Sequence, residues 1–338
     1  MTQRSARGLI QPARATRSSI NAGMKSRMSA NANPTFARVP LGEIKGPVSC
    51  YLGSKPAAVE KGIPSVQLPN VRIGDKKNAQ DCTEYDLEIY NYMRSVENEN
   101  LPQPSLFENQ SNITPKMRST LIDWIVEVHK KQNMHTDTLF YIVAYIDRYL
   151  MERDLDKSKF QLLGSAAILL AAKTEEIYPP KCEKLVHYAG DSFTVIGLQR
   201  MEINLLNTLE FSTTPILSSQ FLRRFLILVN SDMILNRFAH YVNESILLDS
   251  EFIGISPSKT AAAILYYSMV ITNNSTLWTK DLERQLCYTK SELSPVANMI
   301  HLSLQATAAS RYQAIRKKYA TEQNEFVSTI ELPKFLTL

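Results

Sequence analysis

Glycine is scarce over most of this chain. Seven of the 11 glycines fall in the first 80 residues, and after Tyr85 only Gly164, Gly190, Gly197 and Gly254 remain. Average usage is about 7%, so the long C-terminal body is strongly depleted. Neither GxxxxGK[ST] nor GxGxxG occurs, which removes the common phosphate-cradling loops. No GxSxG elbow is present either. Cysteine is equally sparse. Cys50, Cys82, Cys182 and Cys287 are far apart and form no CxxC pair, which argues against a disulfide scaffold and for a reducing compartment. The five histidines (His129, His135, His187, His240, His301) pair neither with a cysteine nor with a second histidine at i+4, so no metal site and no cofactor is indicated. Uninterrupted apolar runs fall short of the roughly 18 residues that a membrane helix needs. The first residues carry charge but no apolar core, unlike a secretory signal.

What is present divides into two unlike parts. Residues 1–80 hold 13 basic and only three acidic side chains (Glu43, Glu60, Asp75), a formal +10. The whole chain of 338 residues is +5, so the remainder is −5. The first 80 residues also hold seven of the 16 prolines, and Phe36 and Tyr51 are their only aromatics. So few large apolar side chains cannot offset the entropy of ordering, and the segment reads as a disordered basic tail. The basic balance that hints at nucleic acid therefore does not belong to the folded part, and neither nucleic acid nor membrane is expected as a partner.

From Tyr85 onward, helical periodicity dominates. Leu121, Trp124, Ile125 and Val128 follow i, i+3, i+4, i+7, as do Leu139, Val143, Ile146 and Leu150. Leu162 to Ala172 is apolar nearly all round and alanine-rich, the mark of a helix buried inside a bundle. Thr194 can cap a helix carrying Leu198, Met201, Leu205 and Leu209. Sustained period-2 alternation is missing, so the body reads as all-α. A shift of 96 residues brings Ala166–Leu169 onto Ala262–Leu265, Leu121 and Ile125 onto Leu217 and Phe221, and Ile203 and Leu206 onto Met299 and Leu302. That period is too long for a solenoid repeat and points to a duplicated domain of about five helices. Thr114-Pro115, Thr214-Pro215, Ser256-Pro257 and Ser294-Pro295 are minimal proline-directed phosphosites. They read more simply as helix starts, where proline is favoured.

Three segments go beyond pattern. Met117-Arg118-Ser119-Thr120-Leu121-Ile122-Asp123-Trp124-Ile125-Val126-Glu127-Val128 resembles the opening helix of the cyclin box, MRxxLxDWLxEV. Tyr145 to Leu150, YIDRYL, is similar to the end of its second helix. Leu162 to Pro180 resembles its third helix and the EEIYPP turn, and Met201-Glu202 follows at the spacing of the fifth. The resemblance is to mitotic A/B-type cyclins over roughly residues 83–310. It implies an N-terminal helix at 83–98, a first five-helix box at 115–212, a more divergent second box at 213–310 and an extension at 311–338. In the tail, Arg38, Leu41 and Ile44 are similar to the destruction box RxxLxxIxN, with Gly46 where the family has Asn. No Lys-Glu-Asn tripeptide occurs.

The resemblance assigns roles residue by residue. Arg118 and Asp147 would form a partly buried ion pair joining two helices. Lys173 and Glu202 would bond backbone groups of a cyclin-dependent kinase, the expected heterodimer partner. Leu170, Glu176, Ile177, Leu206 and Phe211 would extend that surface, and Tyr85, Ile89 and Tyr92 would add a stripe from the N-terminal helix. Thr174 stands where the family has an aromatic ring, which would remove about 1–2 kcal/mol of burial if unreplaced. Met117, Leu121, Trp124, Glu127 and Gln161 map onto a docking groove for Arg-x-Leu substrates and inhibitors, with Thr120 replacing a family Ile and Phe160 a family Leu. The bland reading of each is a core residue or a solvated charge.

The function so implied is that of a regulatory subunit with no chemistry of its own. It would favour the kinase conformer whose αC helix is swung in. The tail would be read by the anaphase-promoting ubiquitin ligase, with Lys25, Lys45, Lys55 and Lys61 as acceptors, and the protein would act in nucleus and cytoplasm. The alternative is a two-repeat transcription module. One of the general-initiation type would have a basic body and a zinc ribbon, and this chain has neither. A transcriptional cyclin would have little use for a destruction-box tail.

Overall fold

A computed structural model describes Ile73 and residues 83–336. The Arg38–Leu41–Ile44 motif, its neighbouring lysines and the basic tail lie outside the described residues. Twelve α-helices and several 3-10 turns make up the described part, which contains no strand.

Helix α1 spans Asp86–Val96 and stands ahead of the first repeat. That repeat consists of α2 (Pro115–Gln132), α3 (Thr136–Glu152), α4 (Phe160–Glu175), α5 (Cys182–Tyr188) and α6 (Val195–Thr208). The second consists of α7 (Ser218–Leu228), α8 (Met233–Ser245), α9 (Pro257–Ile271), α10 (Lys280–Leu286) and α11 (Lys290–Ala308), followed by the short α12 (Ala314–Tyr319).

Local chemistry sets the helix ends. Thr114 accepts from the Met117 N–H and Pro115 opens α2, so one backbone donor is satisfied and another is removed. Asn133, at φ 51, closes the same helix in the left-handed region. Thr194 caps α6 through the Gly197 N–H. Thr289 and Glu292 form a reciprocal capping box on α11. Of the four Thr/Ser-Pro pairs, Pro115 and Pro257 occupy helix starts. Pro215 lies in the linker between repeats, before α7 begins. Pro295 departs from expectation, because it sits inside α11. The Thr289 cap starts that helix a turn and a half earlier.

Each repeat is built round one buried helix. Leu163–Ala172 in α4 and Pro257–Met269 in α9 (Lys259 apart) are buried without a break. Neighbouring helices surround them on all sides, which explains why neither helix shows a polar face. Ala166–Leu169 and Ala262–Leu265 occupy corresponding stretches of these two centres. The echo is weaker at the rim, since Ile203 and Leu302 point outward while their counterparts Met299 and Leu206 are half-buried. Gly164 is where α2 crosses α4: a Cβ there would lie 2.9 Å from Leu121 Cδ1.

The two repeats are tied by polar contacts. Arg118 donates to both carboxylate oxygens of Asp147, at 2.6 and 2.7 Å, and its remaining NH1 reaches the Leu247 carbonyl of the second repeat at 2.8 Å. Both side chains of the ion pair are buried. Asp137, at the start of α3, accepts from Ser219 and Arg223 of α7, each at 2.6 Å. Helix α1 docks on the second repeat. Its Tyr90 meets Phe221 edge-on at 5.8 Å, Asp86 pairs with Arg224, and Glu97 holds the Ser258 N–H at the head of α9. The C-terminal segment straps across both repeats. Ala314 N–H bonds Asp123 of α2, while Lys318 and Tyr319 both reach the buried Glu244 of α8 at 2.7 Å.

Candidate functional site

Packing of α6 against α4 brings Glu202 to the last turn of α4, where Lys173 points out. Lys173 Nζ lies 2.6 Å from Glu202 Oε1. The lysine is half-exposed and also suits the negative end of the α4 dipole. The two groups hold each other at the surface while keeping free hydrogen-bonding capacity: two N–H groups on the ammonium and a second oxygen on the carboxylate.

Apolar groups with no packing role surround the ends of these helices. Ile177 and Tyr178 follow α4 at 87% and 90% exposure, held out of any helix by Pro179-Pro180. Phe211, just after α6, is 67% exposed. It sits at φ 61 directly after Glu210 at φ 51, two consecutive left-handed residues that are neither glycine nor asparagine. Such backbone costs energy and is held here by the Phe211 N–H bonding back to the Leu206 carbonyl. Its result is a phenyl ring aimed at solvent. Leu206 is half-buried beside it. Leu170 is buried and belongs to the layer beneath. Glu176 is turned inward, where its Oε1 accepts from the His135 N–H at 2.7 Å and from the Thr138 hydroxyl. It positions the start of α3 and leaves Ile177 as the outward residue of that turn. Thr174 spends its hydroxyl on the Leu170 carbonyl and the Tyr145 hydroxyl. Sequence reasoning missed Tyr178, for which the proline pair after it was the available signal.

On α1 the inner face is Tyr90, Arg94 and Glu97, and the outer face is Tyr85, Ile89 and Tyr92, exposed by 63%, 44% and 64%. An aromatic stripe of this kind is ordinarily buried. Here the second repeat has already taken the opposite face.

A second surface lies on the outer side of α2 and the start of α4. Leu121 is buried against Gly164 and forms its floor. Met117, Trp124 and Gln161 are half-buried, and Glu127 is exposed with no cation within pairing distance among the described residues. Phe160 is buried. Thr120 is bonded to Tyr312 and Arg311 of the C-terminal segment, two residues that sequence reasoning did not connect to this surface.

Three potential metal donors, His135, Asp137 and Glu175, have ligand atoms within 4.8 Å of one another. Asp137 is committed to Ser219 and Arg223, and His135 Nδ1 accepts from the Asp137 N–H. Asp137 thus serves as an inter-repeat clamp, with both carboxylate oxygens engaged. Burial, with Asp137 close by, raises the pKa of Glu175.

Comparison with known proteins places the chain. The family description "Cyclin, N-terminal domain" matches residues 88–214 and "Cyclin, C-terminal domain" matches residues 216–333. A G2/mitotic-specific cyclin-B of Marthasterias glacialis is 32% identical over 322 residues, covering 93% of this chain and 80% of that protein. Cyclin-A1 of Xenopus laevis is 37% identical over 262 residues, covering 77% of this chain and 62% of that protein. Among solved structures, a viral cyclin from herpesvirus saimiri shares the fold at a TM-score of 0.58 and 22% identity, covering 63% of this chain and 95% of that one.

Proposed function

Because the chain belongs to the cyclin family, we propose that it binds a cyclin-dependent kinase as the regulatory subunit, contributes no catalytic group, and drives mitotic progression. The observation that carries this is the Lys173–Glu202 pair at 2.6 Å, flanked by the exposed Ile177, Tyr178 and Phe211. Polar groups with spare bonding capacity beside solvent-facing rings are the composition of an interface centre. Lys173 and Glu202 sit on packed helices, so little is lost in ordering them on binding. The outer stripe of α1 supplies further contact area. A partner that meets this surface better with its αC helix swung in is shifted toward that conformer by the difference in affinity.

The mitotic assignment follows the A/B-type relatives, and removal by the anaphase-promoting ubiquitin ligase through Arg38, Leu41 and Ile44 follows the tail motif; action in nucleus and cytoplasm is part of the same proposal. The groove at Met117, Leu121, Trp124, Glu127 and Gln161 is assigned to Arg-x-Leu peptides, with Glu127 pairing the arginine.

Co-purification of the full chain from dividing cells should recover a kinase. Lys173→Ala with Glu202→Ala should weaken the complex by about 2–5 kcal/mol, measured by titration calorimetry against the recovered kinase. Unchanged affinity in a folded double variant overturns the interface.

A further inference from the structure

We propose that the groove on α2 and α4 has a third wall, built by Arg311 and Tyr312. Through Arg311 it prefers docked peptides that carry an acidic side chain next to their apolar anchor. This rests on the reading of that groove as a peptide-docking site and adds a selectivity to it.

Successive residues of an α-helix are turned by about 100°. Going round α2, the outer residues therefore run in the order Asp123, Lys116, Glu127, Thr120, Trp124, Met117. Thr120 lies between the carboxylate and the tryptophan, at the lip of the groove. The C-terminal segment lands there. The Tyr312 hydroxyl lies 3.2 Å from Thr120 Oγ1 and donates to the Lys116 carbonyl at 3.0 Å. Arg311 NH2 donates to Thr120 Oγ1 at 3.0 Å and to the Tyr312 hydroxyl at 3.2 Å. Its guanidinium carbon lies 5.1 Å from the centre of the Tyr312 ring. Just beyond, Ala314 N–H is fixed on Asp123 Oδ1 at 2.9 Å. The segment is therefore seated on the helix at several points.

The charges make the groove directional. Arg311 is exposed and held only by neutral hydroxyls, with no carboxylate in pairing distance among the described residues. Glu127 is its unpaired opposite. Seven residues of helix separate Thr120 from Glu127, about 10.5 Å of axial rise. An extended peptide advances about 3.3 Å per residue. A basic residue at Glu127 and an acidic one at Arg311 are thus about three residues apart, with the apolar side chain at Trp124 between them. Charge complementarity selects one occupant: an extended segment of basic, apolar and acidic order. A segment basic on both sides of its anchor would set like charge against Arg311.

The test is fluorescence anisotropy with the full chain and three labelled peptides: Arg-Ala-Leu followed by two glutamates, the same followed by two glutamines, and the glutamate peptide with its leucine changed to alanine. The glutamate peptide should bind about threefold to fivefold tighter than the glutamine peptide at low salt, the range expected of a rim charge pair. The gap should close at high salt. Arg311→Gln should bring the glutamate and glutamine peptides to equal affinity, and Arg311→Glu should transfer the preference to a peptide ending in two lysines. Circular dichroism melts of both variants should match the parent, since Arg311 is exposed. Equal binding of the two leucine peptides, or a preference that survives Arg311→Gln, overturns the proposal while the docking groove stands. If neither leucine peptide binds more tightly than the alanine control, the groove assignment falls and takes this proposal with it.

Discussion

At the scale of single residues, burial decides more than identity. His129 is buried, donates Nε2 to the His135 carbonyl at 2.8 Å and leaves Nδ1 without a partner. Burial lowers its pKa, and the same cause lowers that of His240 on α8. Both are held neutral in the fold and free to protonate when unfolded. A depressed pKa contributes stability above the unfolded value, near 6.5, and that stability is lost as pH falls toward the folded value. Urea denaturation should therefore give a lower unfolding free energy at pH 5.5 than at pH 7.5. The slope should not exceed about 1.4 kcal/mol per pH unit for each histidine. His129→Gln with His240→Gln should flatten this part of the profile, and an unflattened profile would place the dependence elsewhere.

At the scale of elements, the helices were legible because their apolar spacing and caps are local. Thr194, Thr114-Pro115 and the alanine-rich run of α4 were readable from neighbours within a turn or two. Contacts between elements were not. The resemblance pairs Arg118 with Asp147, but nothing local shows that Arg118 also holds the Leu247 carbonyl, 129 residues away. That contact makes the pair a joint between repeats. Asp147→Ala should leave the guanidinium buried with one neutral acceptor, at a cost of about 3–5 kcal/mol. Chemical denaturation would read it as a drop in midpoint at unchanged slope. A change below about 1 kcal/mol would mean that water reaches the site. Pro295 shows the converse limit. Proline favours a helix start, but the Thr289–Glu292 capping box sets the first turn of α11 and leaves the proline inside.

At the scale of the whole molecule, the charge of +5 is the sum of a basic tail and an acidic helical body. The proposed function puts regulation in the first part and binding in the second. If the tail is the off-switch, Arg38→Ala with Leu41→Ala should lengthen the half-life of the protein as cells leave mitosis, followed by cycloheximide chase. An unchanged half-life removes the motif from that role.

The sequence by itself determined the class of fold, the duplication and the two residues at the centre of the candidate interface. Helical period, capping and the long cyclin-like motifs are all encoded within short stretches. Only tertiary structure decided which faces remain open. The second repeat takes the Tyr90 face of α1 and leaves Tyr85, Ile89 and Tyr92 outside, and Glu176 turns in while Ile177 and Tyr178 turn out. The C-terminal segment, unremarked by any local signal, closes over α2 to bring Arg311 to Thr120, at the lip of the proposed docking groove. Exposure depends on what arrives from distant parts of the chain, and period and propensity carry no information about that.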